Sequence, residues 1–570
     1  MLSTERVHGE VGRSPSYVSG LACRPLLGET IGEALDRAAK TWPDQLAVVA
    51  CEQEIRLTYA ELRDRADAIA RSLMALGLVP GDRIGIWSPN NIEWVLTQFA
   101  SAKAGLILVS LNPAYRSAEI EYALRKVGCR AIVCATSHKA SNYLDILASV
   151  APEFETSKPG ALRAQALPDL EIVIQIGGPT VAAAIPFEDL STDRFVSGAS
   201  VADVSIDFDD PTNIQFTSGT TGAPKGATLT HHNIVNNGFF VGEELGLGPG
   251  DRVCIPIPLY HCFGMVMGNL ACITHGSAMI IPGAAFEPGA VLAAIENELC
   301  TALYGVPTMF IALLEHPEFD RFRLSSLRTG IMAGAPCPLA VMQRVVDRLG
   351  IGEITIAYGM TETSPASFQT SRVDSLERRV STVGRVLPHI EVKIADEEGQ
   401  VVPRGTSGEL CTRGYSVMRG YWGDEQRTAE VIDQKGWMHT GDLATIDDEG
   451  YCNIVGRIKD MVIRGGENIF PREIEDFLHT HPDIQDVQVF GVPDVKFGEE
   501  LCAWVLLRGS RRLEEEDIRD YCRGRIAHYK IPRYVRFVDS FPMTVTGKIQ
   551  KFVMRERMCE ELSLAETKTA

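Results

Sequence analysis

The sequence predicts an α/β protein: a large N-terminal domain of doubly wound, mostly parallel sheets with a β-rich subdomain, then a small α+β domain at the C-terminal end. Three observations predict it. Strand-like and helix-like segments alternate with short links from Thr30 onward, the pattern of crossover units around a parallel sheet. From about Gly384, turn clusters such as Glu397-Glu398-Gly399-Gln400 and Asp447-Asp448-Glu449-Gly450 punctuate short β runs, the texture of hairpins. The last stretch, about 110 residues, alternates strand and helix again and has the size of an independent unit. At 570 residues the chain is too long for a single core. The expected boundaries are an N-terminal extension over 1–29, the large domain over 30–457 and the small domain over 458–570.

In chain order, residues 1–28 read as poorly structured before the chain docks. Thr58-Tyr59-Ala60-Glu61 is a capping box, and Leu62, Ala66, Ile69, Leu73 and Leu76 behind it form one apolar helix face that Gly77 and Pro80 close. Strands are expected at 83–87, 106–109 and 131–134, and helices at 91–103 and 117–127. Residues 152–170 and 176–211 are rich in Pro, Ala, Asp and Ser and read as surface loops, before a strand at 213–216. Val253 to Phe286 contains no Asp, Glu, Lys or Arg, but Pro256, Pro258, Gly264, Gly268 and Gly276 interrupt it, so it predicts a buried, pocket-lining segment rather than a membrane span. Further units run through 302–307, 330–336 and 354–359. The small domain should hold helices at 471–479 and 514–523 and strands at 487–492, 501–507 and 534–538.

The formal net charge of −19 argues against nucleic acid or an anionic membrane as the main partner. The 14 cysteines form no CxxC pair and suit small apolar packing in a reducing compartment. With no apolar leader segment and no C-terminal address, a cytoplasmic location is the expectation.

Chemistry is concentrated first in Thr217-Ser218-Gly219-Thr220-Thr221-Gly222-Ala223-Pro224-Lys225-Gly226, with three glycines, four hydroxyls and a lysine. Such a loop cannot pack into a core but can wrap a polyanion with backbone N–H groups, hydroxyls and a positive charge. Lys225 is followed by Gly226 and Ala227, so this is not the G-K-[ST] loop of kinases and motor ATPases. At Tyr358-Gly359-Met360-Thr361-Glu362 a strand ends in an aromatic, a glycine, a hydroxyl and a carboxylate, where open α/β sheets bind ligands. Tyr358 suits stacking on a planar base, and Glu362 suits Mg²⁺. Taken singly, Asp442 after Thr440-Gly441 reads as a turn aspartate, Arg457 as a surface ion pair, and Lys548 after Thr546-Gly547 as a solvated loop lysine.

Taken in order, with Trp437-Met438-His439-Thr440-Gly441-Asp442 and Gly456-Arg457-Ile458-Lys459-Asp460, these motifs resemble the adenylate-forming superfamily over roughly residues 30–555. Pro258-Leu259-Tyr260-His261-Cys262 and Met461-Val462-Ile463-Arg464-Gly465-Gly466-Glu467 look closest to medium-chain fatty acyl-CoA synthetases. The resemblance implies a two-step ligase: a carboxylate attacks the α-phosphorus of ATP to give acyl-adenylate and pyrophosphate, then the CoA thiol displaces AMP. It implies that Thr217, Ser218, Gly219, Thr220, Thr221, Gly222 and Lys225 hold the β- and γ-phosphates. Thr361 and Glu362 would contact phosphate and Mg²⁺, with Thr217 as a second oxygen donor to the metal. Gly334, Ala335 and Pro336 would lie along adenine, with Tyr358 and Gly359 beside it, while Asp442 and Arg457 would bind the ribose. Lys548 would bridge the attacking carboxylate and the α-phosphate, which makes Lys548, Glu362 and Thr217 the expected catalytic set. Lys459 would be the hinge of a mobile C-terminal domain that brings Arg464, Gly465 and Gly466 to CoA for the second step.

The acyl pocket is expected from His261, Phe263, Gly264, Met265, Gly305, Val306 and Gly334, with the two glycines Gly264 and Gly305 leaving room. A medium-chain acid comes first, with branched, alicyclic or aryl-alkanoic acids behind it. A carrier-protein loading enzyme, a luciferase-like oxygenase and a catalytically dead nucleotide-binding regulator are the rivals. The partners implied are the acid, ATP and CoA; a homodimer is allowed for, and no transmembrane segment is expected.

Overall fold

Helices begin at the caps the sequence offers. In the computed structural model, which describes residues 14–22, 24–139, 141–192, 195, 201, 204–217, 224–335, 337, 339–465, 467–509, 511–544, 549–562 and 564, Thr58 caps helix Tyr59–Ala75 in a full capping box with Glu61. Leu62, Ala66, Ile69 and Leu73 of that helix are buried as one face. Helix Ile92–Lys103 starts where the Asn91 side-chain oxygen Oδ1 accepts from Trp94 N–H at 2.8 Å. It is buried on nearly all sides, down to Lys103, whose ammonium pairs with Asp67 at 2.9 Å and with Asp36.

Among the described residues two large sheets carry the N-terminal part. One has eight strands, with Ile172–Ile176, Cys129–Ala135, Arg83–Trp87, Ile107–Ser110 and Pro211–Thr217 running parallel at its centre. The other has nine, with Glu353–Gly359, Thr329–Ala333, Ala302–Gly305, Arg252–Cys254, Ala278–Ile281 and Leu46–Ala50 parallel. The eight-stranded sheet ends in antiparallel strands on one edge and the nine-stranded sheet on both, and a shared core packs between them. The five-stranded antiparallel sheet that follows joins Ile390–Ala395, Gly408–Gly414, Met438–Ile446 and Cys452–Arg457. One of its edge strands is Tyr17–Ser19, from the region expected to be poorly structured before the chain docks.

The uncharged stretch is buried as expected, and part of it, Phe263–Leu270, is a π-helix. The region expected to be loops at 176–211 includes the short strand Ile185–Pro186 and a turn that buries Phe187 and Leu190. In the C-terminal part a long hairpin, Ile484–Asp494 with Gly498–Leu507, takes a parallel neighbour in Tyr534–Phe537 and builds cores of its own. A terminal helix, Lys551–Glu561, buries Met554 and Met558 there. No helix among the described residues is long and apolar enough to cross a membrane.

Candidate active site

The Gly/Thr-rich loop leaves strand Pro211–Thr217 and returns in the antiparallel strand Lys225–Thr230, with Thr217 opposite Lys225. Its middle, Ser218, Gly219, Thr220, Thr221 and Gly222, lies outside the described residues, as do Pro336, Gly466 and Lys548. What the described ends place together is clear. The Thr217 hydroxyl donates to Glu362 Oε1 at 3.3 Å, and the Tyr421 hydroxyl donates to the same oxygen at 2.9 Å. The Lys225 ammonium lies 4.9 Å from the centre of the Tyr421 ring, a cation–π contact. Burial, then the neighbouring Glu362 carboxylate, pushes the Tyr421 phenol well above its usual range, so it remains a donor.

Glu362 reaches this point because strand Glu353–Gly359 stops at a glycine. A Cβ at Gly359 would lie 1.7 Å from the Pro365 carbonyl oxygen, so only glycine lets the chain fold back here. The short turn Thr361–Thr363 follows and holds Glu362 at 6% exposure. Four residues earlier, Tyr358 donates its hydroxyl to Asp442 Oδ2 at 2.5 Å. Arg457 Nε donates to the other oxygen at 3.1 Å, from the position opposite Asp442 in the sheet. Asp442 lies in a bulge together with Gly441, which takes φ +71° and gives its N–H to Glu409 Oε1 at 3.1 Å. Burial, then Asp442, raises the Tyr358 phenol well above its ordinary value. Gly334, at φ +87° after strand Thr329–Ala333, turns the chain beside Val306.

A cavity of about 340 Å³ shares Val306 with that turn. Pro258, Tyr260, Phe286, Val306 and Met309 form much of its wall, and Thr544 of the C-terminal part is on its lining. Thr544 stands four positions before Lys548. A larger cavity of about 750 Å³ shares His138 and Lys139 with it, and its lining mixes Glu52, Glu54, Arg56 and Glu298 with Val49, Ala290, Ala293 and Ala294.

Of the seven residues expected at the acyl pocket, Val306 lines this cavity, and His261, Phe263, Gly264, Met265, Gly305 and Gly334 are not on its described lining. Gly264 opens no room, because a Cβ there would sit 2.4 Å from the Pro258 carbonyl oxygen. Gly305 is packed under the Phe310 ring, 3.0 Å from the same hypothetical Cβ. Met265 is buried with its sulfur accepting from Gln215 Nε2 at 3.0 Å, while His261 Nδ1 accepts from Phe263 N–H at 3.2 Å. Tyr260 and Met309, which line the cavity beside Val306, were not among the seven, although Tyr260 stands next to His261 in the uncharged stretch. Tyr421 was missed too, and nothing in Gly420-Tyr421-Trp422 points to a carboxylate 59 positions away.

Arg464, expected on the CoA path, makes a two-point ion pair with buried Glu500, both contacts at 2.8 Å, so in this arrangement its guanidinium is committed to the small domain's own fold. Gly465 takes φ +61°. Lys459 lies in the turn Ile458–Asp460, between strands Cys452–Arg457 and Val462–Arg464.

The AMP-binding enzyme family matches residues 35–422, and the C-terminal domain of AMP-binding enzymes matches residues 473–548. The chain is 48% identical to "Medium-chain acyl-CoA ligase ACSF2, mitochondrial" of Danio rerio over 559 residues, covering 96% of this chain and 91% of that one. It is also 48% identical to "Putative acyl-CoA synthetase YngI" of Bacillus subtilis (strain 168), covering 95% and 99%. The crystal structure of the anthranilate CoA ligase AuaEII in complex with anthranoyl-AMP superposes with a TM-score of 0.84 at 27% identity, covering 95% of this chain and 99% of that one. The chain therefore belongs to the AMP-binding enzyme family, the adenylate-forming ligases.

Proposed function

We propose that the chain, an AMP-forming acid–thiol ligase by family, activates a medium-chain fatty acid to its acyl-adenylate and passes the acyl group to CoA. The observation that carries this reading is that the Glu362 and Asp442 clusters both form at the end of strand Glu353–Gly359, whose parallel neighbour Thr329–Ala333 leads into Gly334 beside Val306, a residue of the cavity lining. Asp442 would accept from the ribose hydroxyls, with Arg457 holding the carboxylate in place. Gly334, Ala335 and Tyr358 would flank adenine. Thr217 and the 218–223 loop would wrap the outer phosphates, and Lys225 would position the leaving pyrophosphate. Glu362 and the Thr217 hydroxyl are hard oxygen donors that fit Mg²⁺, which in such sites takes one or two carboxylates plus phosphate oxygens. When bound, the ion would neutralise charge building on the phosphates.

Lys548 would bridge the acid and the α-phosphate, and Thr544 on the cavity lining supports a pose with the Lys548 loop close by. We further propose that the region 458–570 turns about Lys459 after adenylation. That turn would withdraw Lys548 and present the Gly465-Gly466 stretch to CoA. Buried cysteines in a chain of this charge support work in the cytosol.

Each buried methylene contributes about 0.8 kcal/mol, so four carbons amount to about 3 kcal/mol, or roughly two-hundredfold in binding. Chain length should therefore be read sharply. The test is pyrophosphate release with straight-chain, branched and aryl-alkanoic acids, with and without CoA, together with thioester analysis. A maximum at medium chain length with thioester formed only when CoA is present is expected. A maximum at aryl acids would move the assignment to Tyr260 and Phe286 as a ring-binding wall. Release without thioester would point to a carrier protein, and no release with any acid would overturn the reading.

A further inference from the structure

Away from the nucleotide cluster, the β-rich sheet brings three metal-ligating side chains together: Glu409, Cys411 and His439, whose donor atoms lie within 4.8 Å of one another. The sheet explains the meeting. Glu409 and Cys411 are two apart on strand Gly408–Gly414, so they share a face, and His439 stands opposite Cys411 on the next strand. Cys411 Sγ is 3.6 Å from His439 Nδ1, and Nδ1 is 2.8 Å from Glu409 Oε2.

We propose that Glu409, Cys411 and His439 form a Zn²⁺ site with three protein ligands and one water. Tetrahedral Zn²⁺ with bonds of about 2.3 Å to sulfur and about 2.0 Å to nitrogen holds those two atoms roughly 3.5 Å apart. The observed sulfur–nitrogen spacing of 3.6 Å already has that value. The nitrogen–oxygen pair, 2.8 Å apart as a hydrogen bond, must open to roughly 3.3 Å, a small rotation for a carboxylate. Thiolate, imidazole and carboxylate together suit a borderline-soft ion rather than Mg²⁺ or Ca²⁺. Cys411 is fully buried under Trp437, while His439 and Glu409 keep 35% and 23% of their side chains exposed, which leaves a path for the ion and a place for the water. Lys393 and Asp433 are the other charged groups whose fields reach Cys411, and their signs offset. Binding replaces the thiol proton by the metal and releases that proton to solvent. Because Glu409 also receives the Gly441 N–H, a bound ion would brace the bulge that aims Asp442.

The test uses the full chain, freed of metal with a chelator and titrated with Co²⁺. One equivalent should produce thiolate-to-metal charge-transfer absorption in the near ultraviolet and the visible bands of a four-coordinate ion, and Zn²⁺ should displace it. Cys411→Ala should abolish the charge-transfer band. His439→Gln, at a half-exposed position, decides the matter if the Cys411 variant does not fold. It should weaken Co²⁺ binding by more than about tenfold, since loss of even an outer partner costs that much. The absence of a thiolate band in the parent chain, the same band in Cys411→Ala, or unchanged affinity in His439→Gln would overturn the site.

Discussion

Glu362 and Asp442 are alike in two respects. Each is nearly buried, at 6% and 7% exposed, and each accepts a hydrogen bond from a tyrosine hydroxyl. They differ in the second partner. Asp442 has the Arg457 guanidinium at 3.1 Å, so its charge is balanced within the protein. Glu362 has a second hydroxyl, Thr217, and among the described residues no ion pair reaches it; Lys225 is spent on the face of the Tyr421 ring. A buried carboxylate without a counter-charge is costly unless a cation completes it. On the proposed reading the pair divides the labour: the Asp442 end would receive neutral donors such as ribose hydroxyls, and the Glu362 end a cation that arrives with its ligand.

The largest expected effect tests whether the phosphate end also draws charge from the C-terminal domain. Lys548→Ala should slow adenylation by about a thousandfold, the upper range for removing one group that stabilises a developing anion. It should still convert supplied acyl-adenylate to thioester at close to the parent rate. Lys225→Ala should cost less, about tenfold in adenylation, as a single charge-assisted contact would. Burst measurements of pyrophosphate release and single-turnover thioester formation check both; the reverse order would exchange the roles of the two lysines.

Next comes Glu362→Gln, which keeps the shape and removes the charge. Adenylation should fall about a hundredfold, and the Mg²⁺ concentration for half-maximal rate should rise with it. Asp442→Asn is the matched change at the other end. It should raise KM for ATP about thirtyfold, the worth of roughly 2 kcal/mol in charge-assisted hydrogen bonds, and leave the Mg²⁺ dependence alone. Steady-state rates over a grid of ATP and Mg²⁺ separate the two. If both variants shift the Mg²⁺ requirement equally, the division between the ends is broken.

Local chemistry was legible in the sequence, and long-range pairing was not. The capping box at Thr58 and Glu61, the parallel strands and the strand ends at Thr217 and Tyr358 follow from spacing and turn residues, and the structure has them there. Tyr421 could not be read, because it sits in a two-residue strand and meets Glu362 only through the pairing of Ala227 with Tyr421. Arg464 looked free for a ligand because Glu500 lies 36 positions away. Gly264 was taken for empty space, when a glycine also marks where backbone comes close, here the Pro258 carbonyl. Strand Tyr17–Ser19 is too short for periodicity to register, and helix Lys551–Glu561 buries only Met554 and Met558, too few apolar positions to stand out.

The smallest expected effects sharpen the comparison most, because they remove one hydroxyl from each end and nothing else. Tyr421→Phe keeps the ring beneath Lys225 but takes away one of the two hydroxyl donors to Glu362. Tyr358→Phe keeps the ring expected beside adenine and leaves Asp442 its ion pair with Arg457. A single hydrogen bond is worth about 1 kcal/mol, so each variant should lose roughly fivefold. The losses should differ in kind. In Tyr421→Phe the carboxylate is left more exposed in its demand for a cation, so the deficit should appear in the adenylation rate and shrink as Mg²⁺ is raised. In Tyr358→Phe it should appear in KM for ATP and be indifferent to Mg²⁺. Titrating Mg²⁺ at saturating ATP, then ATP at saturating Mg²⁺, decides it. A Tyr358→Phe chain rescued by Mg²⁺, or a Tyr421→Phe chain deaf to it, would mean that the two carboxylates do the same work and that Arg457 does not set them apart.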